Sequence, residues 1–185
     1  MINILGFVGS LRSGSCNRQL ADTAVANVPT GISLELFSGI EGIPYYNEDI
    51  DVPGSAPAAA SRLRLLTLGA DALLFFSPEY NGTMPATVKN VIDWLSRPYG
   101  HSAITDKPAA VVGASAGRRG AAWAHDDARK SLEIAGATVL DDATLSIPNA
   151  VQVFSNTPPS HDKAIVDKLR LIMCELAAIV PDKDY

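Results

Sequence analysis

The first 20 residues of the chain combine an apolar run, a loop of glycine and hydroxyl residues, and a helix start. Residues 2–8 read INILGFV and residues 9–15 read GSLRSGS. A near-continuous apolar run is typical of a parallel strand that is covered on both faces. A helix that follows such a strand directs unpaired amide groups and a partial positive charge at the connecting loop. We therefore predict a strand, loop and helix unit of an α/β protein, with an anion site at the carboxyl end of the strand.

Apolar runs of strand length alternate with longer helical patterns along the rest of the chain. This alternation is typical of a parallel sheet built from βαβ units. We predict strands over residues 2–8, 32–36, 72–76, 109–114 and 143–147, and helices over residues 17–27, 56–68, 85–96, 120–135 and 160–179. Five such strands predict an α/β fold with a flavodoxin-like, doubly wound parallel sheet of order 2-1-3-4-5, whose crevice opens between strands 1 and 3. We expect one domain over residues 1–185, with a long loop over residues 37–55 beside that crevice.

The loop over residues 9–15 is a candidate phosphate site. Ser10, Ser13 and Ser15 supply hydroxyl groups, and Arg12 supplies a cation whose fork geometry suits phosphate oxygens. Two glycines of the loop have the spacing of a Walker A motif, but the lysine of that motif is absent. The glycine pattern of dinucleotide-binding folds is also absent, so a dehydrogenase of that type is a weak alternative. An ordinary serine-capped turn explains the same residues and remains open.

A second loop, over residues 77–85, has an unusual composition for a connection between a strand and a helix. Its sequence is SPEYNGTMP. Two prolines restrict the backbone, Gly82 permits a positive φ, and Tyr80 supplies an aromatic face. Such a ledge suits a flat heterocycle. A well-formed helix start with a tyrosine at its edge is the alternative interpretation.

A third loop, over residues 113–120, follows the fourth predicted strand and opens on the same edge of the sheet. Its sequence is GASAGRRG. The glycines let a ligand ring approach the backbone, Ser115 can donate or accept a hydrogen bond, and Arg118 and Arg119 can receive an anionic group. A solvated basic turn explains either arginine alone. Three loops of this kind at one sheet edge favour a shared ligand.

The composition argues against several kinds of partner. The net charge is −5 and the pI is about 5.1, so no basic surface is available for nucleic acid. The two cysteines, Cys16 and Cys174, form neither a disulfide framework nor a metal-ligand spacing, which indicates a reducing compartment. No apolar stretch approaches the roughly 20 residues that cross a bilayer. We expect a cytoplasmic protein without metal, membrane or nucleic-acid partners.

At its three loops the chain resembles the NADPH-dependent FMN reductase family, whose members are flavodoxin-like quinone, azo-dye and chromate reductases. The resemblance extends over nearly the whole chain. Its most specific motif is the sequence P-E-Y-N at residues 78–81, which is similar to the isoalloxazine loop of the family. The first loop is similar to the flavin-phosphate loop, and Ser115 and Gly117 fall at the third flavin-contacting loop. The sequence RRGA at residues 118–121 departs from the smaller residues and Gly-Gly pair of the family.

The resemblance implies an oxidoreductase that passes electrons from NADPH, or NADH, through bound FMN to a quinone, azo compound, free flavin or metal oxyanion. It implies no catalytic side chain, because the flavin carries the chemistry. Arg118 and Arg119 are candidate contacts for the 2′-phosphate of NADPH. A flavodoxin-type electron carrier and a nucleotide-binding domain without flavin remain as alternatives. The expected FMN-binding residues are Ser10, Arg12, Ser15, Cys16, Asn17, Pro78, Glu79, Tyr80, Asn81, Gly82, Ser115 and Gly117.

The resemblance also implies a homodimer or a homotetramer. The predicted helix over residues 85–96 is apolar on more than one side, and Trp94 lies only two positions from Ile92. We therefore expect Trp94 to be exposed and to contact a second copy of the chain. The alternative is that the loop over residues 37–55 covers this face within one chain. Trp123 is likewise expected to be a packing or subunit-contact residue.

The three histidines lie outside the three loops. We expect each of them at the surface or on a helix, without a catalytic role. They are His101, His125 and His161.

Overall fold

The computed structural model describes residues 1–181, and their strands form one parallel sheet. The order is β2-β1-β3-β4, followed by an edge position that β5 and β6 share, which confirms the predicted flavodoxin-like topology. Residues 182–185 of the predicted single domain lie outside the described part of the chain. The strands are β1 (Ile2–Val8), β2 (Ile32–Leu36), β3 (Ala72–Phe76), β4 (Pro108–Ala114), β5 (Thr138–Val139) and β6 (Leu145–Ile147).

The last position of the sheet differs from the single strand that the sequence predicts over residues 143–147. The two residues of β5 pair with Pro108 and Ala109, whereas β6 pairs with the carboxyl end of β4. Asp141 and Asp142 lie between β5 and β6 and interrupt the apolar run. Within residues 1–181 the sheet therefore has six strands instead of five.

Helices cover both faces of the sheet, and their bounds agree with prediction to within three residues, apart from α5. No pattern in the sequence predicts α5, because seven residues are too few to show a helical period. None of the described helices combines the length and the apolar character that crossing a bilayer requires. The helices are α1 (Cys16–Ala26), α2 (Ala58–Gly69), α3 (Ala86–Leu95), α4 (Ala122–Ile134), α5 (Ala150–Asn156) and α6 (Lys163–Ala178).

The alternation of side chains along β1 divides the core into two layers. Leu5 and Phe7 pack with α2, α3 and α4 on one face. Ile4 and Val8 pack with α1, α5 and α6 on the other face. Because successive residues of a strand point to opposite faces, this apolar run requires cover on both sides. The loops that leave β1, β3 and β4 are consequently brought together at the carboxyl edge of the sheet.

Trp94 is completely buried, so the expectation that it is exposed to a second copy is wrong. Its indole N–H donates to the carbonyl of Pro44 at 2.7 Å. The ring meets the edge of Tyr46 at 5.0 Å between centroids, and the guanidinium of Arg64 lies 5.2 Å from its centre. The segment over residues 37–55 therefore covers α3 within one chain, which was the alternative interpretation.

A bidentate ion pair fastens the covering segment to α2. Both guanidinium termini of Arg64 donate to the carboxylate of Asp51 at 2.6 Å, and its Nε donates to the carbonyl of Trp94 at 3.1 Å. These hydrogen bonds from Arg64 hold the pKa of Asp51 below its usual value. Paired groups in a partly buried site are held more firmly than an exposed pair. The segment is therefore a fixed part of the structure beside the site.

Candidate functional site

The loops after β1, β3 and β4 enclose a cavity of about 190 Å³ at the carboxyl edge of the sheet. Its position agrees with the crevice that the sequence predicts. Asn81, Gly82 and Gly117 lie on the same loops but not on its wall. The predicted residues that line it are Ser10, Arg12, Ser15, Cys16, Asn17, Pro78, Glu79, Tyr80 and Ser115. The lining residues that were not predicted are Ala114, Ala116 and Val151.

Two further cavities help to define the site. A cavity of about 560 Å³ shares Ser10 and Arg12 with the first one and is bounded by residues 37–41 of the covering segment. A larger cavity of about 650 Å³ lies between the C-terminal ends of α3 and α4 and contains no predicted site residue. We place the site at the cavity of about 190 Å³, because among these three cavities only that one brings together a helix N-terminus, a cation and three loops.

The loop over residues 10–14 offers a row of amide groups to a ligand. Within residues 1–181 its amides have no hydrogen-bond acceptor, and neither do the amides of Cys16 and Asn17 at the start of α1. The guanidinium of Arg12 is exposed and donates to the carbonyl of Ser13 at 3.3 Å. An anion here would receive amide hydrogen bonds, the partial charge of the helix and a charge-assisted bond. The first loop therefore fits a phosphate group.

Ser15 and Asn17 also make hydrogen bonds of their own. The hydroxyl of Ser15 caps α1 by accepting from the amide of Arg18 at 3.4 Å. Asn17 is buried, and its side-chain amide donates to the carbonyl of Ala114 at 2.8 Å and accepts from the amide of Ala114 at 2.9 Å. The side chain of Asn17 thus joins α1 to β4, and its backbone amide is the group that remains for a ligand.

The second loop ends in a tight hairpin. Tyr80 and Thr83 exchange backbone hydrogen bonds of 3.0 and 3.2 Å. Asn81 and Gly82 between them have φ values of 54° and 79°, the left-handed conformation that a type I′ turn requires. The amides of Glu79, Asn81 and Gly82 have no acceptor in the described part of the chain. With the half-exposed ring of Tyr80, they form a polar ledge that suits the edge of a flat heterocycle.

The first turns of α4 hold this hairpin in place. The carboxylate of Glu79 accepts from the amide of Ala124 at 3.4 Å. The hydroxyl of Thr83 donates to the carboxylate of Asp127 at 2.6 Å. Because α4 is packed against the sheet, these contacts fix the hairpin relative to the core.

His125 lies on α4 as expected, but it is completely buried, so a surface position is excluded. Its ring contacts the carbonyl of Ser77 at 3.1 Å and the hydroxyl of Ser146 at 2.9 Å. Burial lowers the pKa of His125 to about 4, against the opposing effect of the bond to Ser77. The spacing of His125 with the buried Ala128 and Leu132 is the sequence signal that could have placed it on the inner face of α4.

The third loop is anchored to the start of α5. The amide of Ala150 donates to the carbonyl of Ser115 at 2.9 Å, and the amide of Asn149 donates to the carbonyl of Gly117 at 3.1 Å. This connection brings Val151 to the wall of the cavity. Val151 was not predicted as a site residue, because α5 was not predicted. Asn149, which takes a left-handed conformation before the apolar stretch, was the available signal.

Arg118 and Arg119 have different surroundings. The guanidinium of Arg119 lies 4.1 Å from the ring centre of Trp123, which is half exposed. A Cβ at Gly82 would lie 3.4 Å from the same ring, so Arg119 is connected to the hairpin through Trp123. Arg118 is exposed, and neither arginine lines the two cavities at the site.

Comparison with known proteins agrees with this geometry. Residues 2–152 match the family described as NADPH-dependent FMN reductase. The chain is 42% identical over 179 residues to an NAD(P)H-dependent FMN reductase of Pseudomonas aeruginosa, covering 96% of this chain and 93% of that protein. It is 36% identical over 167 residues to a quinone reductase of Pseudomonas putida, covering 87% of this chain and 89% of that protein. The solved structure of FerB, a flavoenzyme NAD(P)H:(acceptor) oxidoreductase from Paracoccus denitrificans, matches with a TM-score of 0.84 at 28% identity over 97% of each chain.

The chain therefore belongs to the NADPH-dependent FMN reductase family. The match and the parallel sheet order confirm the family and the fold that the resemblance predicted.

Proposed function

We propose that this protein is an NAD(P)H-dependent, FMN-containing oxidoreductase that passes electrons from reduced nicotinamide to a small-molecule acceptor. One observation carries the proposal: a single cavity joins unpaired amides and Arg12 on one loop to the flat hairpin of another. FMN contains a phosphate and a planar ring, and these two features need two such surfaces. When bound, FMN supplies the hydride and electron chemistry. Family membership supports the same cofactors.

The residues of the site bind and orient the flavin. In this proposal Arg12, Ser10 and the amides at the start of α1 bind the phosphate, because they combine a fixed cation with free donors. The amides of Asn81 and Gly82, which have no acceptor in the described part of the chain, would hydrogen-bond to the edge of the ring. The half-exposed ring of Tyr80 would limit the access of water to the ring face. The chain needs no side chain that moves a proton.

The first experiment is to purify the protein, record its visible spectrum and titrate it with FMN. We expect the two visible bands of a flavin and one FMN per chain. Addition of NADPH or NADH with 1,4-benzoquinone should then give steady consumption of nicotinamide. FMN binding without steady consumption would support a flavodoxin-type electron carrier instead. A colourless protein that takes up no FMN would overturn both the proposed reductase function and the electron-carrier alternative.

We propose quinones as the principal acceptor class. The Pseudomonas putida relative is named a quinone reductase, and a half-exposed Tyr80 at an open cavity suits a flat ring. A comparison of kcat/KM for a benzoquinone, an azo dye, free flavin and a metal oxyanion tests this assignment. A higher value for any of the other three acceptors would contradict it.

We also propose a homodimer or homotetramer in the cytoplasm. Tyr99 and Ile134 are 87% and 76% exposed beside the cavity of about 650 Å³, and large exposed apolar groups favour association. Light scattering after size-exclusion chromatography tests the assembly, because a mass near 19.5 kDa would mean a monomer. Cys16 and Cys174 are both free, which supports a reducing compartment, and cell fractionation tests that location.

A further inference from the structure

The backbone of Ser77, which leads into the hairpin, is held from two sides. Ser77 immediately precedes the P-E-Y-N sequence and is completely buried. Its amide donates to the carbonyl of Val112 in β4 at 2.8 Å. Its carbonyl lies 3.1 Å from Nε2 of His125 in α4. The backbone that leads into the hairpin therefore contacts His125 as well as the sheet.

The hydrogen bonds of His125 define its tautomer. A carbonyl oxygen can only accept, so Nε2 carries the proton and donates to Ser77. Nδ1 then accepts from the hydroxyl of Ser146 in β6 at 2.9 Å. The complete burial of the ring and its lowered pKa agree with this neutral form.

Three polar groups converge at Gly113 of β4: the side chains of Asn17 and His125 and the backbone carbonyl of Ser77. A Cβ at this position would lie 2.2 Å from the carbonyl oxygen of Ser77, 2.7 Å from Oδ1 of Asn17 and 2.8 Å from Nε2 of His125. Only glycine leaves room for these three groups. They form a buried polar cluster of Asn17, Ser77, Gly113 and His125, whose members come from or adjoin all three loops of the site, and the exposed Ser146 bonds to its edge through His125.

We propose that His125 is a positioning residue for the flavin, acting through the carbonyl of Ser77 to hold the hairpin at a fixed distance from the phosphate loop. This inference rests on the proposed function, because it requires that the hairpin carries the flavin ring. Without the donor of His125, the carbonyl of Ser77 would be buried with one partner fewer and the hairpin would shift. A shift of the hairpin changes the hydrogen bonds at the ring edge. Both the affinity for FMN and the potential of the bound flavin would then change.

Two substitutions separate the bond to Ser77 from general packing. His125→Gln places an amide donor near the position of Nε2 and can keep the bond to Ser77. His125→Asn is shorter, so its amide reaches only the region of Nδ1 and leaves Ser77 without this donor. The matched control is Leu132→Ala, which removes a buried side chain from the same helix outside the buried polar cluster.

The measurements are the Kd for FMN by fluorescence titration, the midpoint potential of the bound flavin, and the Tm of the FMN-free protein. We expect His125→Asn to weaken FMN binding about tenfold, the loss that corresponds to one buried hydrogen bond, and to shift the potential. His125→Gln should stay within about threefold of the unchanged protein. Leu132→Ala should lower the Tm and leave the Kd and the potential unchanged.

Two outcomes of the measurements on these variants would overturn the inference. One is an unchanged Kd and potential in a folded His125→Asn variant. The other is an equal loss of affinity in Leu132→Ala, which would assign the effect to general destabilisation. Failure of the unchanged protein to bind FMN would instead overturn the proposed function, so the two failures are distinguishable.

A measurement on the unchanged protein, without and with FMN, avoids any folding defect of a variant. The ¹⁵N chemical shifts of the His125 ring should show the Nε2–H tautomer at pH 6, and they should move when FMN is added to the FMN-free protein. An Nδ1–H tautomer, a doubly protonated ring at pH 6, or shifts that do not respond to FMN would each contradict the inference.

Discussion

His125 should make the stability of the protein depend on pH in a direction that follows from its burial. The ordinary pKa of 6.5 is lowered to about 4 in the folded chain, mainly by burial. Between these values the unfolded chain binds a proton that the folded chain does not, so stability falls as the pH falls. Of the charged neighbours on α4, Arg129 strengthens the effect and Asp126 opposes it. The lowering of the pKa of His125 from 6.5 to about 4 corresponds to about 3 kcal/mol in total, and about 2 kcal/mol of it is lost by pH 5.

Urea unfolding of the FMN-free protein at pH 7.5 and pH 5 measures this effect. His125→Gln is the matched variant, because it keeps a donor and has no group that titrates in this range. The unchanged protein should lose about 2 kcal/mol more unfolding free energy than the variant between the two pH values. All other titrating groups are common to both proteins, so the difference isolates His125. Equal losses in the two proteins would refute the reasoning.

Three further predictions concern the cofactors and the covering segment. Arg12→Ala should weaken FMN binding by about 1–3 kcal/mol, measured by fluorescence titration, because a charge-assisted contact is lost. Arg170→Ala on α6 is the control and should bind FMN like the unchanged protein. If Arg12→Ala also binds FMN with unchanged affinity, Arg12 faces solvent and does not contact the phosphate. Replacing both Arg118 and Arg119 by glutamine should raise the KM for NADPH and leave the KM for NADH nearly unchanged, since only NADPH has the extra phosphate. Equal changes in the two KM values would assign both arginines to folding or assembly. Trp94→Phe should lower the free energy of unfolding by about 1–2 kcal/mol without changing the mass by light scattering, because it removes an internal hydrogen bond. A change in mass would make Trp94 a subunit contact after all.

The sheet and the loops of the site could be predicted because their signals are local. The apolar run of β1 and its alternation with helical patterns indicate a parallel sheet within a few residues of sequence. The pair Asn81-Gly82 contains the information for a type I′ turn, because both residues tolerate a positive φ. Candidate ligands such as Arg12 and Ser115 follow from their place at strand ends, which parallel topology brings to one edge.

The remaining features depend on contacts between distant parts of the chain. Trp94 is buried by the carbonyl of Pro44 and the ring of Tyr46, and no local pattern shows which surface covers an apolar helix. The partners of His125 lie 48 and 21 residues away in the chain. The helical spacing of α4 indicates that His125 faces inward, but it does not identify the loop that the ring supports.

The two edges of the sheet limit how copies of this chain can join. On one side β5 and β6 have only two and three residues, and the carboxylates of Asp141 and Asp142 separate them. On the other side β2 is five residues long and presents the exposed Glu35. Short, charged edge strands are poor templates for a strand from another molecule. Both edges therefore disfavour a continuous sheet between two copies, which leaves the helical faces as the favoured surfaces for assembly.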